Sequence, residues 1–359
     1  YLDPGTRQRK NLTLSTDTQV SELLFEGLKC VGVKALVAGK TTEFRAKEVI
    51  LSCGAIHSPA HLLRAGIGPV GHLKEMGIDV RHASAGVGQR LMDHPSISVS
   101  AYVKPHARMN DFTRRHIQVG LRYSSKMPEI PAGDMFVAVV TKSAWHAVGE
   151  RICSFLIFVN RTTSERGQVK LQSKDWREEP EVEFNLLSDR RDLERLMTGF
   201  RRMGRLYSTP AMQAVSADPF PATYSDRVRK IGVVNTQNKV ITKVAGLLMD
   251  GPDALRKALI EKVITEGFTF EEVMRDDERL EAFVRKATIG VWHASCSCRM
   301  GADGDPMAVT DAAGRVRGVD GLRVVDASIF PIVPSANTNF PTLMTAEKIA
   351  DAIVDARVG

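Results

Sequence analysis

Apolar and polar residues alternate in short runs over much of the chain, and in a few places the period lengthens from two to nearly four. Asn11-Leu12-Thr13-Leu14 reads as a short strand, and a second β-rich run follows at Val31 to Ala38, after Gly27. With the compact apolar run Val49-Ile50-Leu51 they predict a small meander over residues 11–51. That last run enters Ser52-Cys53-Gly54-Ala55, where a helix is expected to begin. Ser58 suits an N-cap, Pro59 the first helical position and Gly66 the stop, with Leu62 and Leu63 facing a core. A strand, a glycine turn and a helix N-terminus in this order let backbone approach a dinucleotide closely.

Between Ile97 and Lys286, β-rich runs (Met135–Val140, Phe155–Val159, Gln168–Leu171, Glu181–Phe184) alternate with helical segments. The clearest helix follows Ser188, where Leu193, Leu196, Met197, Phe200 and Met203 recur at helical spacing. Asp189, Asp192 and Glu194 lie early in it and Arg201, Arg202 and Arg205 late, which complements the helix dipole. Residues 212–250 show no clear period and are expected to hold loops. The end of the chain predicts a helix over Asp277–Ala287 and a strand Leu322-Arg323-Val324-Val325 closing on Asp326-Ala327-Ser328. A last helix, introduced by Ser335 to Pro341, has Leu343, Ala346, Ile349, Ala350 and Ile353 as its apolar positions. Two strand-to-helix turns from distant parts of the chain thus converge, as they do where α/β sheets bind ligands.

Composition narrows the classes. With 359 residues, 43% of them hydrophobic, the chain can fill two domains, and no run approaches the length of a membrane-spanning helix. The net charge of +7 invites a nucleic-acid reading, but basic residues alternate with acids, as in Asp189-Arg190-Arg191-Asp192. Such interleaving describes a solvated surface, so nucleic acid is not an expected partner. Five scattered cysteines suit reduced thiols, which favours a cytoplasmic protein.

His293 is the best general-base candidate among the nine histidines, because it lies beside Trp292 at the head of a small-residue turn. The plainer alternative is a core histidine that donates to a carbonyl. Asn337 and Asn339 stand where an amide either caps the last helix or hydrogen-bonds a substrate oxygen. His293, Cys296 and Cys298 lack the further Cys/His pair of a four-ligand site, so no metal is expected and the thiols read as packing residues. Asp93-His94-Pro95 reads as structural, since adjacent side chains seldom converge on one substrate atom. Asp326 either holds a sugar-type hydroxyl or caps the turn that follows it.

Several of these runs share one pattern. Gly54-Ala55-Ile56-His57-Ser58-Pro59 with Leu62-Leu63 and Gly66-Ile67-Gly68 resembles the second signature of the glucose–methanol–choline (GMC) oxidoreductases. Val87-Gly88-Gln89-Arg90-Leu91-Met92-Asp93-His94-Pro95, Ser164 to Val169, His293 to Gly301, Gly321 to Ser328 and Asn337 to Lys348 are similar to later family motifs in the same order. The resemblance implies a mixed α/β fold. Residues 1–96 and 287–359 would form an incomplete FAD-binding domain, and 97–286 a substrate domain with an antiparallel sheet and flanking helices. It implies that His293 takes the alcohol proton as hydride passes to flavin N5, and that Asn337 holds the developing alkoxide. Val20, Gly54 and Ala55 would lie near the adenosine, Asp326 and Ala327 near the ribityl–phosphate, and Thr338 and Asn339 near the pyrimidine edge. The implied partners are a small alcohol and an electron acceptor, oxygen or quinone, and self-association is left open. Ser295-Cys296, shared with choline-dehydrogenase-like members, tilts the reading toward a dehydrogenase of a simple alcohol. The non-redox alternative within the fold is a hydroxynitrile lyase. No G-x-G-x-x-G occurs near Tyr1. The expectation is therefore that this chain is an inactive fragment that binds FAD poorly, with the redox activity belonging to a full-length parent.

Overall fold

The computed structural model describes residues 1–110, 115–265 and 267–358. Its largest sheet is antiparallel, in the order Ser216–Ala222, Pro95–Val103, Ile152–Val159, Met135–Val140, Ile117–Tyr123, with Ile289–Gly290 also paired to Pro95–Val103. Every residue of Pro95–Val103 is buried except Ser98, as a strand covered on both faces requires. The helix Arg190–Leu206 lies against this strand and Ile152–Val159, and the helix Asp277–Ala287 packs behind it. Leu193, Leu196, Phe200 and Met203 bury in this core as their spacing predicts, and Phe200 meets Phe283 at 5.2 Å between ring centroids. Full burial of each such side chain contributes roughly 1.5–3 kcal/mol.

A second core surrounds the parallel pair Val49–Leu51 and Leu322–Val324, with an antiparallel meander of Thr18–Glu26, Lys29–Val37 and Lys40–Arg45 beside it. The strand expected at Asn11-Leu12-Thr13-Leu14 is absent. Residues 12–16 form no regular element, and Leu14 is exposed, because this run has no neighbour with which to form a ladder. Residues 212–250 are not loops. They form the helices Pro210–Val215, Asp226–Gly232 and Thr236–Met249 and the strand Ser216–Ala222. The longest of these helices carries Val240, Ile241, Val244, Leu247 and Leu248 on one face at helical spacing, and that face is exposed.

The helix expected to begin at Pro59 after a Ser58 cap begins five residues earlier, as Gly54–Arg64, and stops before Gly66, whose φ is +78°, as predicted. Ser58 is no cap. Its hydroxyl donates to Asp326 Oδ2 at 2.5 Å and accepts from the Cys53 N–H. Pro59 therefore lies inside the helix, where its missing N–H would orphan the carbonyl four residues back. That carbonyl belongs to Ala55, and the buried Ser297 hydroxyl donates to it at 2.5 Å. A side chain from a distant loop thus restores the bond that proline removes.

Two features fix the junction between the cores. Ile289 and Gly290 pair with Ser96 and Pro95, and the next bridge joins Ser295 to Met92. One side takes five steps between these points and the other three, so residues 291–294 carry a two-residue bulge in which Trp292 has φ +62°. Asp93 Oδ1 fills the bulge, accepting N–H bonds from His94 at 2.7 Å, His293 at 3.1 Å and Val291 at 3.3 Å. Any side chain at 290 would strike Asp93 Oδ2, which lies 2.3 Å from the position of a Cβ there. The second feature is a buried charge network. Arg195 bonds Asp192 and Asp134, and Asp192 also accepts from Thr162, Thr163 and Ser164. Burial opposes ionisation of Asp134, but Ser125 and Arg195 outweigh it and hold its carboxyl below the usual range.

Arg195→Met leaves two buried carboxylates without their cation. It is expected to cost about 3–5 kcal/mol, read as a lowered urea midpoint; an unchanged midpoint contradicts this account. Asp93 behaves oppositely to a surface carboxylate. Burial pushes it up to about 6, against the pull of the backbone N–H groups of His293, His94 and Val291. As pH rises the unfolded chain ionises this group first, so the stability tied to its protonated form is complete below the ordinary carboxylate range and is lost through about 6. Relative to Asp93→Asn, the parent should lose about 3 kcal/mol across that window. A pH-independent difference between the two unfolding curves argues against a perturbed Asp93.

Candidate active site

The bulge held by Asp93 delivers His293 to His94. Counted back from the Ser295–Met92 bridge, on the far side of the bulge, His293 falls opposite His94 although 199 positions separate them, with Nδ1 facing Nδ1 at 3.0 Å. The rings meet edge to face, 5.1 Å between centroids and 86° between planes. His94 is fully buried, and its Nε2 lies 3.0 Å from the carbonyl oxygen of Pro334. His293 is half-buried, and burial lowers its pKa from the usual value. Among the described residues its Nε2 has no hydrogen-bond partner. It is a histidine with one nitrogen tethered and the other available, neutral near working pH.

The same contacts reach the segment that carries Asn337. His94 meets the Pro334 carbonyl, while Asn160 Nδ2 and Arg122 Nη2 each donate to the Ser335 carbonyl at 2.9 Å. One strand residue, Arg122, and two residues at strand ends, His94 and Asn160, thereby pin the approach to the last helix, Asn339–Val358. Asn337 itself is exposed and, among the described residues, makes no side-chain hydrogen bond, to His293 or to any other group. Thr338 is half-buried and accepts from Thr342 through its carbonyl, and Asn339 is exposed.

A second convergence lies at the ends of the parallel strands. Asp326 follows Leu322–Val324, and its Oδ2 accepts from the Gly54 N–H at 2.9 Å and from the Ser58 hydroxyl, while Oδ1 accepts from Ser328 N–H at 2.8 Å. Gly54 has φ +80°, and a Cβ there would meet nothing within 4 Å, so open space lies in front of the helix start. Ala55 is buried and Ala327 half-buried beside this turn, and Val20 is a half-buried residue of a strand that touches the same helix. Asp326 thus caps the turn after its strand and ties the two strand ends together. The parallel pairing of Leu322–Val324 with Val49–Leu51 brings the turn at Asp326 to the turn at Gly54.

Cys296 and Cys298 are fully buried, and burial raises the Cys296 thiol to about 12, which disfavours a reactive thiolate there. Cys296 holds φ +76°, a conformation that favours glycine. Asp93, His94 and His293 each place one potential ligand atom within 4.8 Å of the others. Asp93 Oδ1 is already filled by amides, however, and the two ring nitrogens are at the distance of a shared proton. Sequence reasoning assigned Asp93-His94 to structure alone. That holds for Asp93, but the His94 ring touches the candidate base. Ser96, Ser98 and Ser100 alternate with apolar residues as in a strand with a solvent face, so nothing local signalled that the head of this strand is buried.

Residues 1–96 and 163–346 match the two family models described as GMC oxidoreductase. The chain is 38% identical over 358 residues to the 5-(hydroxymethyl)furfural oxidase of Methylovorus sp. (strain MP688), covering 99% of this chain and 59% of that protein. It is 32% identical to an oxygen-dependent choline dehydrogenase of Chromohalobacter salexigens, covering 98% of this chain and 58% of the relative. The chain therefore spans about six-tenths of the length of the curated relatives it matches. Among solved structures, pyridoxine 4-oxidase from Mesorbium loti superposes with a TM-score of 0.70 at 22% identity, over 98% of this chain and 60% of that one. Formate oxidase superposes at 0.71 and 20% identity, over 93% and 59%. At these identities the superpositions speak for the fold. With two family models together covering most of its length in the expected order, the chain belongs to the GMC oxidoreductase family.

Proposed function

We propose that the enzyme carrying this chain oxidises an alcohol CH–OH group with FAD, and that His293 is the base. The observation that supports this reading is the His293 ring, with its Nδ1 held by His94 and its Nε2 bare. A half-buried neutral imidazole accepts a hydroxyl proton at that nitrogen and releases it afterwards. Asn337 stands at the end of the pinned 334–335 segment, where its amide N–H would donate to the oxygen as negative charge develops there. Such a donor contributes on the order of 3 kcal/mol to the transition state.

FAD is the cofactor of this family, and when bound it supplies the acceptor for the hydride that leaves the carbinol carbon. The turn at Gly54 fits the cofactor. It combines positive φ, free space in front of the Cα and the first N–H groups of the helix Gly54–Arg64 at the ends of two parallel strands. On this reading Gly54, Ala55 and Val20 line the adenosine side and Ala327 the ribityl–phosphate, with Asp326 holding the turn in shape, and Thr338 and Asn339 approach the ring edge. The relative named for a hydroxymethyl substrate supports a primary alcohol, and the names oxidase and oxygen-dependent dehydrogenase support oxygen as the final acceptor. The chain has no helix long and apolar enough to cross a membrane, among the described residues.

In the FAD-loaded enzyme, His293→Ala should lower turnover by roughly a hundredfold or more while the visible flavin spectrum is unchanged. Near-normal anaerobic bleaching by the alcohol would remove His293 from the role. Asn337→Ala should lower kcat by about a hundredfold with flavin retained, and an unchanged kcat assigns that amide to helix capping alone.

A further inference from the structure

We propose that His94 is a positioning residue that fixes which nitrogen of His293 is the base, placing the hydrogen on Nδ1 and leaving the lone pair on Nε2. The inference rests on the reading of His293 as the base and deepens it.

A backbone carbonyl only accepts, so the 3.0 Å contact between His94 Nε2 and Pro334 O requires the hydrogen on Nε2. A neutral His94 then has only a lone pair at Nδ1. That lone pair faces His293 Nδ1 at 3.0 Å, and two lone pairs cannot face each other at this distance, so His293 Nδ1 must carry a hydrogen and donate it. The sole lone pair left on a neutral His293 is at Nε2, the nitrogen with no partner among the described residues.

This arrangement of hydrogens holds while His94 stays neutral, and its surroundings keep it so. The ring is fully buried and stacks 5.9 Å from Phe158. The ionisable groups around it are the His293 ring and Asp93, and the Asp93 carboxylate is turned onto backbone N–H groups, not onto the imidazole. Burial, followed by the neighbouring His293, depresses the His94 pKa to about 3. When His293 takes a proton at Nε2 it becomes a cation, and the Nδ1 contact to His94 strengthens as a charge-assisted bond. Since the acceptor is a neutral imidazole and not a carboxylate, the cation is held in place without being trapped. The relay also ends on Pro334, three positions before Asn337, so one set of bonds sets both the base and the segment bearing the proposed oxyanion donor.

Ring-15N-labelled histidine in the FAD-loaded enzyme reads the tautomer directly by NMR. At a pH where His293 is neutral, the expected spectrum shows its Nδ1 protonated and Nε2 bare, with His94 protonated at Nε2. The reverse tautomer on His293 overturns the proposal, and this wild-type measurement stands even where a variant fails to fold. His94→Phe keeps the ring volume and deletes the acceptor. It should mix the His293 tautomers and lower kcat by roughly tenfold to a hundredfold with little change in KM. His94→Asn, whose Oδ1 lies near the former Nδ1, should recover most of that loss. Unchanged kcat and tautomer in His94→Phe, or equal defects in Phe and Asn, reject a positioning role. Failure of the base assignment is separate, since it would show as normal turnover in His293→Ala whatever the tautomer.

Discussion

One carboxylate holds the two halves of the site together. Asp93 receives backbone N–H groups from both sides of a bulge, and through them a strand of the large sheet is bound to a segment almost 200 residues later in the chain. Without that anchor, nothing in the local sequence would keep Trp292 at positive φ or turn His293 toward His94. Gly290 is part of the same constraint, because the carboxylate occupies the space a side chain would need. The consequence for function is direct: the orientation of an imidazole is decided by a side chain that never touches it.

The other junction works by substitution of one hydrogen bond for another. Pro59 removes a helical donor, Ser297 supplies it from the loop that follows His293, and Ser58 and Asp326 close the turn from the opposite side. The loop after the candidate base and the helix proposed to face the cofactor are therefore one hydrogen-bonded unit. A displacement at either end would be felt at the other, since buried polar groups of this kind cannot be left unpaired cheaply. The Asp134–Arg195–Asp192 network plays a similar part in the large sheet. It fixes the strand end at Asn160, whose side chain holds the segment leading to Asn337.

Much of this was legible in the residues. The strands Met135–Val140 and Gly167–Lys170, the helices Arg190–Leu206 and Asp277–Ala287, and the convergence of Val49–Leu51 with Leu322–Val324 follow from periodicity and caps. What was not legible depended on long-range partners. Ser58-Pro59 looks like a helix start because its true partners, Asp326 and Ser297, lie more than 230 positions away. The helix Thr236–Met249 was missed although Val240, Ile241, Val244, Leu247 and Leu248 recur at helical spacing, and the structure turns that stripe to solvent instead of into a core. His94 was set aside on a sound local rule, that adjacent side chains diverge. Asp93 and His94 do diverge, and the two directions serve one histidine.

The proposed oxidation requires proton removal by the His293 ring. The most direct test is chemical rescue of the FAD-loaded His293→Ala enzyme by added imidazole, followed anaerobically as flavin bleaching by the alcohol. The account predicts a slow reaction that imidazole accelerates in a saturable manner, with a pH dependence that follows the free base. A His293→Ala enzyme that bleaches at the parent rate, indifferent to imidazole, would contradict it.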